Sequence, residues 1–171
     1  MSVHEIRALG DPVLRLRCDE VAAFDASLRT LADEMFETMY AAPGIGLAAN
    51  QIGRSIRMFV YDGGEDAGSG VAVNPTIVSR EGHQEEDEGC LSIPGVYRPT
   101  PRALAVRLEA ADLQGNSIAL EGEGLLARIF QHETDHLDGT LYVDHLSKAD
   151  RSSALAEFED LALHPRPRAG G

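Results

Sequence analysis

The sequence predicts an α+β fold: short antiparallel β-sheets packed around a central helix carrying His132-Glu133-Thr134-Asp135-His136, with an N-terminal helix and a C-terminal helix. Three observations predict it. Apolar residues recur at helical spacing in three separate stretches. Short runs of alternating or β-branched residues lie between them, broken by glycine-rich turns. Those runs follow one another instead of alternating with helices, which is the order of an antiparallel sheet.

Taking the elements in order, Asp25-Ala26-Ser27 offers capping side chains to a first helix. Its stripe is Leu28, Leu31, Met35 and Met39, with Phe36 beside it, and it ends near Ala42, before Pro43-Gly44. Residues 56–62 and 71–79 read as strands joined by a flexible exposed loop at 63–70. At 103–110, Leu104, Val106, Leu108 and Ala110 alternate with Ala105, Arg107 and Glu109, the pattern of a half-buried strand. A turn at 112–116 leads into another strand at 117–121. The central helix begins near Glu123. Leu125, Leu126, Ile129 and Phe130 make its first half apolar, and Gly139 stops it with Leu137 packed behind. A last helix at 148–161 carries Leu155, Phe158 and Leu161. One catalytic domain over residues 1–163 is expected, with 164–171 a disordered tail.

A chain of 171 residues buries a sizeable core without disulfides. Cys18 and Cys90 are too few for a disulfide framework and suit a reducing compartment. Cys18 reads as a small buried apolar residue. A net charge of −13 argues against a broad nucleic-acid footprint, and no direct DNA binding is expected. No apolar stretch approaches the ~20 residues of a membrane span. The first residues lack the apolar centre of a secretory signal, so no membrane partner and a cytoplasmic location are expected.

His132 and His136 stand about 40° apart around a helix axis, so both imidazoles can face one cation. Glu133 between them lies within reach of a water at that cation. Catalytic metal sites usually take three protein ligands and keep one position for water. A longer protease pattern would put a third histidine where Tyr142 stands, and His145 misses that register by three residues. The downstream acids Glu157 and Glu159 fall on a short surface helix. Cys90 is the better candidate, in the turn-rich run Glu88-Gly89-Cys90-Leu91-Ser92-Ile93-Pro94-Gly95. A thiol beside a metal loses its proton outright, which removes the objection to a buried charge.

The run GIGLAANQ at 44–51 suits a backbone that a substrate approaches closely, with Gln51 a donor to a carbonyl gaining negative charge. Gln131 and Asp135 would orient the imidazoles or brace the helix. Two other readings are open at this point. A structural metal module would need a fourth protein ligand, and a peptidase would cut internal amides.

Three motifs stand in one order: GIGLAANQ at 44–51, EGCLS at 88–92 and QHETDHLDG at 131–139. That set resembles the peptide deformylase family, over nearly the whole chain and including Leu9-Gly10-Asp11-Pro12-Val13-Leu14-Arg15. The resemblance implies a metal-dependent hydrolase that removes the N-formyl group from the N-terminal formylmethionine of newly made polypeptides, releasing formate. It implies Cys90, His132 and His136 as metal ligands, with Fe(II) native and Ni(II), Co(II) or Zn(II) as substitutes. Ligand type alone does not separate Fe(II) from Zn(II). Glu133 would move the proton, and the Gln51 amide and Leu91 backbone N–H would hold the oxyanion. Ile45 and Gly46 would offer backbone groups to an extended peptide, and Ile45, Leu125 and Ile129 would line the methionine pocket. The partners implied are nascent formylated peptides, met by a monomer, with transient ribosome association through the C-terminal helix. That region mixes Arg151, Arg166 and Arg168 with Glu157, Glu159 and Asp160 and lacks a strong basic face.

Overall fold

The computed structural model describes residues 2–165. Of the tail expected at 164–171, residues 166–171 lie outside the described residues. A helix α1 spans Ala26–Ala41, capped as expected by Asp25, whose carboxylate accepts the Leu28 N–H at 3.1 Å. Strands β1 (Gly46–Ala48), β2 (Met58–Asp62), β3 (Ser69–Glu81), β6 (Ala105–Ala111) and β7 (Ser117–Glu123) form one antiparallel sheet in the order β1-β2-β3-β6-β7. Strands β4 (Gln84–Cys90) and β5 (Ile93–Arg102) pair only with each other. Helices α2 (Leu125–Leu137) and α3 (Lys148–Leu163) complete the fold, and the mixed architecture is the expected one.

The sheet lies between two helices because successive side chains on a strand point to opposite faces. Phe59 and Tyr61 of β2 and Ala48 of β1 join Ala127, Ile129, Phe130 and Leu137 of α2. Their neighbours Met58, Val60 and Leu47 join Leu28, Ala32, Met35 and Met39 of α1. Phe130 meets Tyr61 edge-on, with ring centroids 5.1 Å apart. On the other side of α2, the β4–β5 hairpin packs through Ile93 and Val96 against Leu141, Tyr142, Val143 and Ala154, the last on α3. The helix bearing the histidines is therefore held between the five-stranded sheet and the hairpin. No helix among the described residues is long and apolar enough to cross a membrane.

The structure corrects several boundaries. The second strand starts at Met58, two residues after the expected Ile56, which instead forms an isolated bridge with Asp19. Strand β3 takes Ser69 and Gly70 from the expected loop and bulges between Val73 and Thr76. The bulge carries Asn74 at φ +51°, whose side chain pins Val21 through bonds of 2.8 and 3.0 Å. The central helix begins at Leu125, because Glu123 still belongs to β7 and Gly124 makes the turn.

The largest correction concerns residues 84–102, read partly as a turn-rich segment: they form a hairpin with Cys90 at its tip. Glu85, Glu86 and Asp87 face solvent while Gln84 and Glu88 are buried, so no apolar alternation marks the strand.

Gly139 follows α2 at φ +77°, and a Cβ there would lie 2.6 Å from the Arg15 carbonyl oxygen. Gly139→Ala is expected to lower the unfolding free energy by about 1–3 kcal/mol. Urea unfolding of the variant checks this, and an unchanged midpoint would remove the constraint argued for the turn.

Candidate metal centre

Helix α2 is fixed at both ends before it presents any chemistry. Its last carbonyls have no partner within the helix, and three neighbours supply donors. The Asn50 amide reaches the His136 carbonyl at 2.6 Å. The Cys18 N–H and the Arg57 guanidinium reach the Leu137 carbonyl at 2.9 and 3.0 Å. Arg57 also holds Asp138 at 2.8 Å. At the other end the Gln84 amide reaches the Gly124 carbonyl at 2.8 Å, and at mid-helix Gln131 bonds both backbone groups of Ala103, at 2.9 and 3.0 Å. Gln131 thus braces the helix and contacts neither imidazole.

From that fixed helix His132 and His136 point together, and the hairpin tip brings Cys90 to them. The two Nε2 atoms are 3.1 Å apart, Cys90 Sγ is 3.3 Å from His136 Nε2, and all three donors lie within 4.8 Å of one another. Bonds of about 2.0–2.3 Å in a tetrahedron place such donors about 3.3–3.7 Å apart. The His132–His136 and Cys90–His136 separations meet that requirement within a few tenths of an ångström. One thiolate and two imidazoles form a donor set for Zn(II) or Fe(II), so the residues fit a divalent cation. Among the described residues no other group of three or more such side chains could hold an ion. Among the described residues no fourth ligand joins the cluster, which disfavours a closed structural site.

Tyr142, which stands in place of the longer pattern's third histidine, and the alternatives Glu157 and His145 are engaged elsewhere. Tyr142 packs its ring on His132, with centroids 6.2 Å apart, and donates its hydroxyl to the Val96 carbonyl at 2.8 Å. Glu157 pairs with Arg98 at 2.8 Å. His145 bonds Asp135 at 2.8 Å.

Behind His132 lies a group to which the sequence reading gave no role. Glu88 accepts from His132 Nδ1 at 2.5 Å, which leaves Nε2 as the atom facing the cluster. Arg102 grips Glu88 at 2.6 and 3.0 Å and reaches Asp135 at 2.6 Å. Burial works against the charge on Glu88, but the His132 and Arg102 hydrogen bonds outweigh it and hold the carboxyl down to about 2. Asp135 therefore anchors the network rather than touching either imidazole of the cluster.

The two imidazoles are driven in opposite directions. Burial opposes a charge on His132, yet its bonds to Cys90 and Glu88 raise it well above the ordinary value. Burial and the neighbouring His132 push His136 well below it. Two ring nitrogens 3.1 Å apart cannot both carry a proton between them, and the opposed shifts express that.

Glu133 has the most exceptional environment. It is buried, its Oε1 lies 4.0 Å from His132 Nε2, and its Oε2 has no partner among the described residues. Burial raises its carboxyl to about 7. A Cβ at Gly46 would collide with that carboxylate, so the glycine makes room for it.

A cavity of about 790 Å³ opens above the cluster. Ile45, Gly46, Gln51, Leu91, Leu125 and Ile129 all line it, together with Cys90, His132 and Glu133. Gln51 is fixed by accepting the Ala48 N–H at 2.9 Å and donating to Ser92 at 3.1 Å, with Cys90 Sγ 3.6 Å from the same nitrogen. Among the described residues the Leu91 N–H has no backbone acceptor. The Ile45 carbonyl is engaged by the Asp62 N–H at 2.9 Å, so that pair is hydrogen-bonded and the next, Gly46 with Tyr61, is not. The N–H and C=O of Gly46 consequently point outward from an edge strand. Of the two residues expected to offer backbone groups, Gly46 is free to do so, while Ile45 contributes its half-exposed side chain.

Fold and site together define a metal-dependent hydrolase. A profile of the Polypeptide deformylase family matches residues 3–152, and the chain belongs to that family, whose members remove the N-formyl group from nascent polypeptides. Peptide deformylase 1 of Corynebacterium glutamicum is 49% identical over 158 residues, covering 91% of this chain and 94% of its own. The peptide deformylase of Alkalilimnicola ehrlichii is 44% identical over 173 residues, covering 100% and 97%. The crystal structure of a peptide deformylase from Legionella pneumophila superposes with a TM-score of 0.90 at 44% identity, over 97% of this chain and 100% of that one. A peptide deformylase from Ehrlichia chaffeensis in complex with actinonin gives a TM-score of 0.89 at 36% identity, over 97% and 100%.

Proposed function

We propose that this chain hydrolyses the formyl amide of formylmethionyl peptides, with residues 1–163 acting as one catalytic unit. Cys90, His132 and His136 would hold one divalent cation, Fe(II) in the cell, with Ni(II), Co(II) or Zn(II) able to replace it. When bound, the cation supplies Lewis acidity, which brings a water's pKa towards neutrality.

The chain's own residues supply the rest. Glu133 takes the proton of the attacking water and delivers it to the leaving amine, as a carboxyl titrating near 7 can do in both directions. The Gln51 amide and the Leu91 N–H stabilise the oxyanion, and one such donor is worth about 3 kcal/mol in comparable sites. Gly46 hydrogen-bonds the peptide main chain as an added strand would. Ile45, Leu125 and Ile129 receive the methionine side chain. The observation that carries this reading is the buried Glu133 carboxylate, whose Oε2 has no partner among the described residues, beside three converging donors.

The substrates would be formylated peptides met in the cytoplasm by a monomer. Arg151 on α3 is 3.4 Å from Asp144, and Glu157 is paired with Arg98, so the described part of α3 offers no basic face. Any contact with the ribosome would accordingly be transient.

Protein loaded anaerobically with Fe(II) or Ni(II) is expected to release formate from a formyl-methionyl peptide, and to stop when a chelator removes the metal. Equal release from chelated protein, or cleavage of unformylated peptides instead, would overturn the proposal.

A further inference from the structure

The ion pairs behind His132 continue to the surface. Glu88 Oε1 accepts both His132 Nδ1, at 2.5 Å, and Arg102 Nη2, at 2.6 Å. Asp135 Oδ2 likewise accepts both Arg102 Nη1, at 2.6 Å, and His145 Nε2, at 2.8 Å. Arg102 and Glu88 are almost wholly buried, whereas the His145 side chain is 36% exposed. His145 ends a short 3₁₀ turn, Tyr142–His145, and opens onto a groove of about 430 Å³ lined also by Arg80, His83 and Gln131. The groove shares Arg102 and Asp135 with this network, while the substrate cavity meets it at Glu88 and His132.

We propose that His145 is a positioning residue for the metal centre, acting through Asp135, Arg102 and Glu88 on the electron donation of His132. Each carboxylate oxygen shares its charge between two donors, so strengthening one bond weakens the other. The His145 N–H draws on Asp135 and loosens its hold on Arg102. Arg102 is then freer to neutralise Glu88, and Glu88 pulls less on the His132 Nδ1 proton. Loss of the His145 donor reverses every step: Asp135 draws Arg102 back, Glu88 becomes the stronger acceptor, and His132 Nε2 becomes the more basic ligand. A more basic imidazole binds a cation more tightly. A residue that merely supported the fold would act with the opposite sign, because its loss would loosen the site.

The inference rests on Cys90, His132 and His136 holding a cation, and the test separates the two. Co(II) is titrated into full-length wild-type protein and into His145→Phe, His145→Ala and His145→Gln, against a competing chelator. His145→Phe and His145→Ala are expected to bind Co(II) about threefold to tenfold more tightly, less than the 10–100-fold typical of a direct partner of a ligand. Their visible Co(II) absorption should shift with the affinity. His145→Gln, which keeps an N–H donor, should return both towards wild type. Unchanged or weaker binding in the Phe and Ala variants, or a Gln variant behaving like them, would overturn the proposal. Wild-type protein that binds no Co(II) would overturn the metal reading along with it, whereas identical binding by all four proteins overturns this inference alone.

Discussion

Glu133→Gln is expected to reduce kcat of the metal-loaded protein by about 10²–10⁴-fold, with metal content and peptide affinity nearly unchanged. The side chain keeps its shape and loses only the ability to accept and return a proton. Formate release under saturating peptide measures this, and a loss below tenfold would remove Glu133 from the proton path. The same substitution has a stability consequence with a definite sign. Burial raises the Glu133 carboxyl to about 7, above its unfolded value, so its stabilising contribution is complete below the unfolded pKa of about 4.3 and is lost as pH rises through 7. Gln mimics the protonated form at every pH. In chelator-treated protein the variant should therefore be more stable than wild type at pH 8, by about 3 kcal/mol, and the difference should vanish as pH falls below 4. A variant less stable at pH 8 would contradict the account.

Glu88→Ala is expected to be the most disruptive change outside the ligands. It strands the buried Arg102 guanidinium with Asp135 as its remaining carboxylate and leaves His132 Nδ1 without its acceptor. Removing one partner of a buried ion pair costs about 3–5 kcal/mol, and loss of a ligand's hydrogen-bond partner weakens metal binding about 10–100-fold. Urea unfolding and metal competition measure the two effects separately. Glu88→Gln, which retains an acceptor oxygen, should lose less on both counts. The Glu88 carboxyl is held at about 2, so its stabilising contribution is present above the unfolded pKa and disappears as pH falls towards 2. Wild type should accordingly lose its advantage over Glu88→Ala in acid. A variant as stable as wild type at pH 7 would show that the pair merely balances its own desolvation.

The residues proposed to touch the reaction were legible in the sequence because each belongs to a short local pattern. His132, Glu133 and His136 share one helix face, and Cys90, Leu91, Gln51 and Gly46 lie in runs whose glycines and amides imply close approach. Of what supports them, Gln131 and Asp135 were legible from their places beside the histidines, and the rest was not. Glu88 stands two residues before Cys90, but its partner Arg102 is fourteen residues away across a hairpin that charge and proline conceal. Asn50 and Arg57 act on carbonyls of α2 from distant segments. Long-range hydrogen bonds between polar side chains leave no periodicity in a sequence, whereas core packing does. The same contrast separates the well-anticipated α1 from the missed β4–β5 hairpin: Leu28, Met35 and Met39 recur at helical spacing, while Gln84 and Glu88 are buried without being apolar.

The brevity of β1 has a consequence for which proteins can be clients. Its outer rim exposes the peptide groups of Gly46, and in the proposed role these would meet atoms common to every polypeptide whatever its side chains. Under the proposed function, selectivity would therefore rest on the first residue and its blocking group, and the sequence that follows would add little. Such an arrangement can service a whole proteome with one catalyst, and it also gives a foreign strand little rim on which to stack.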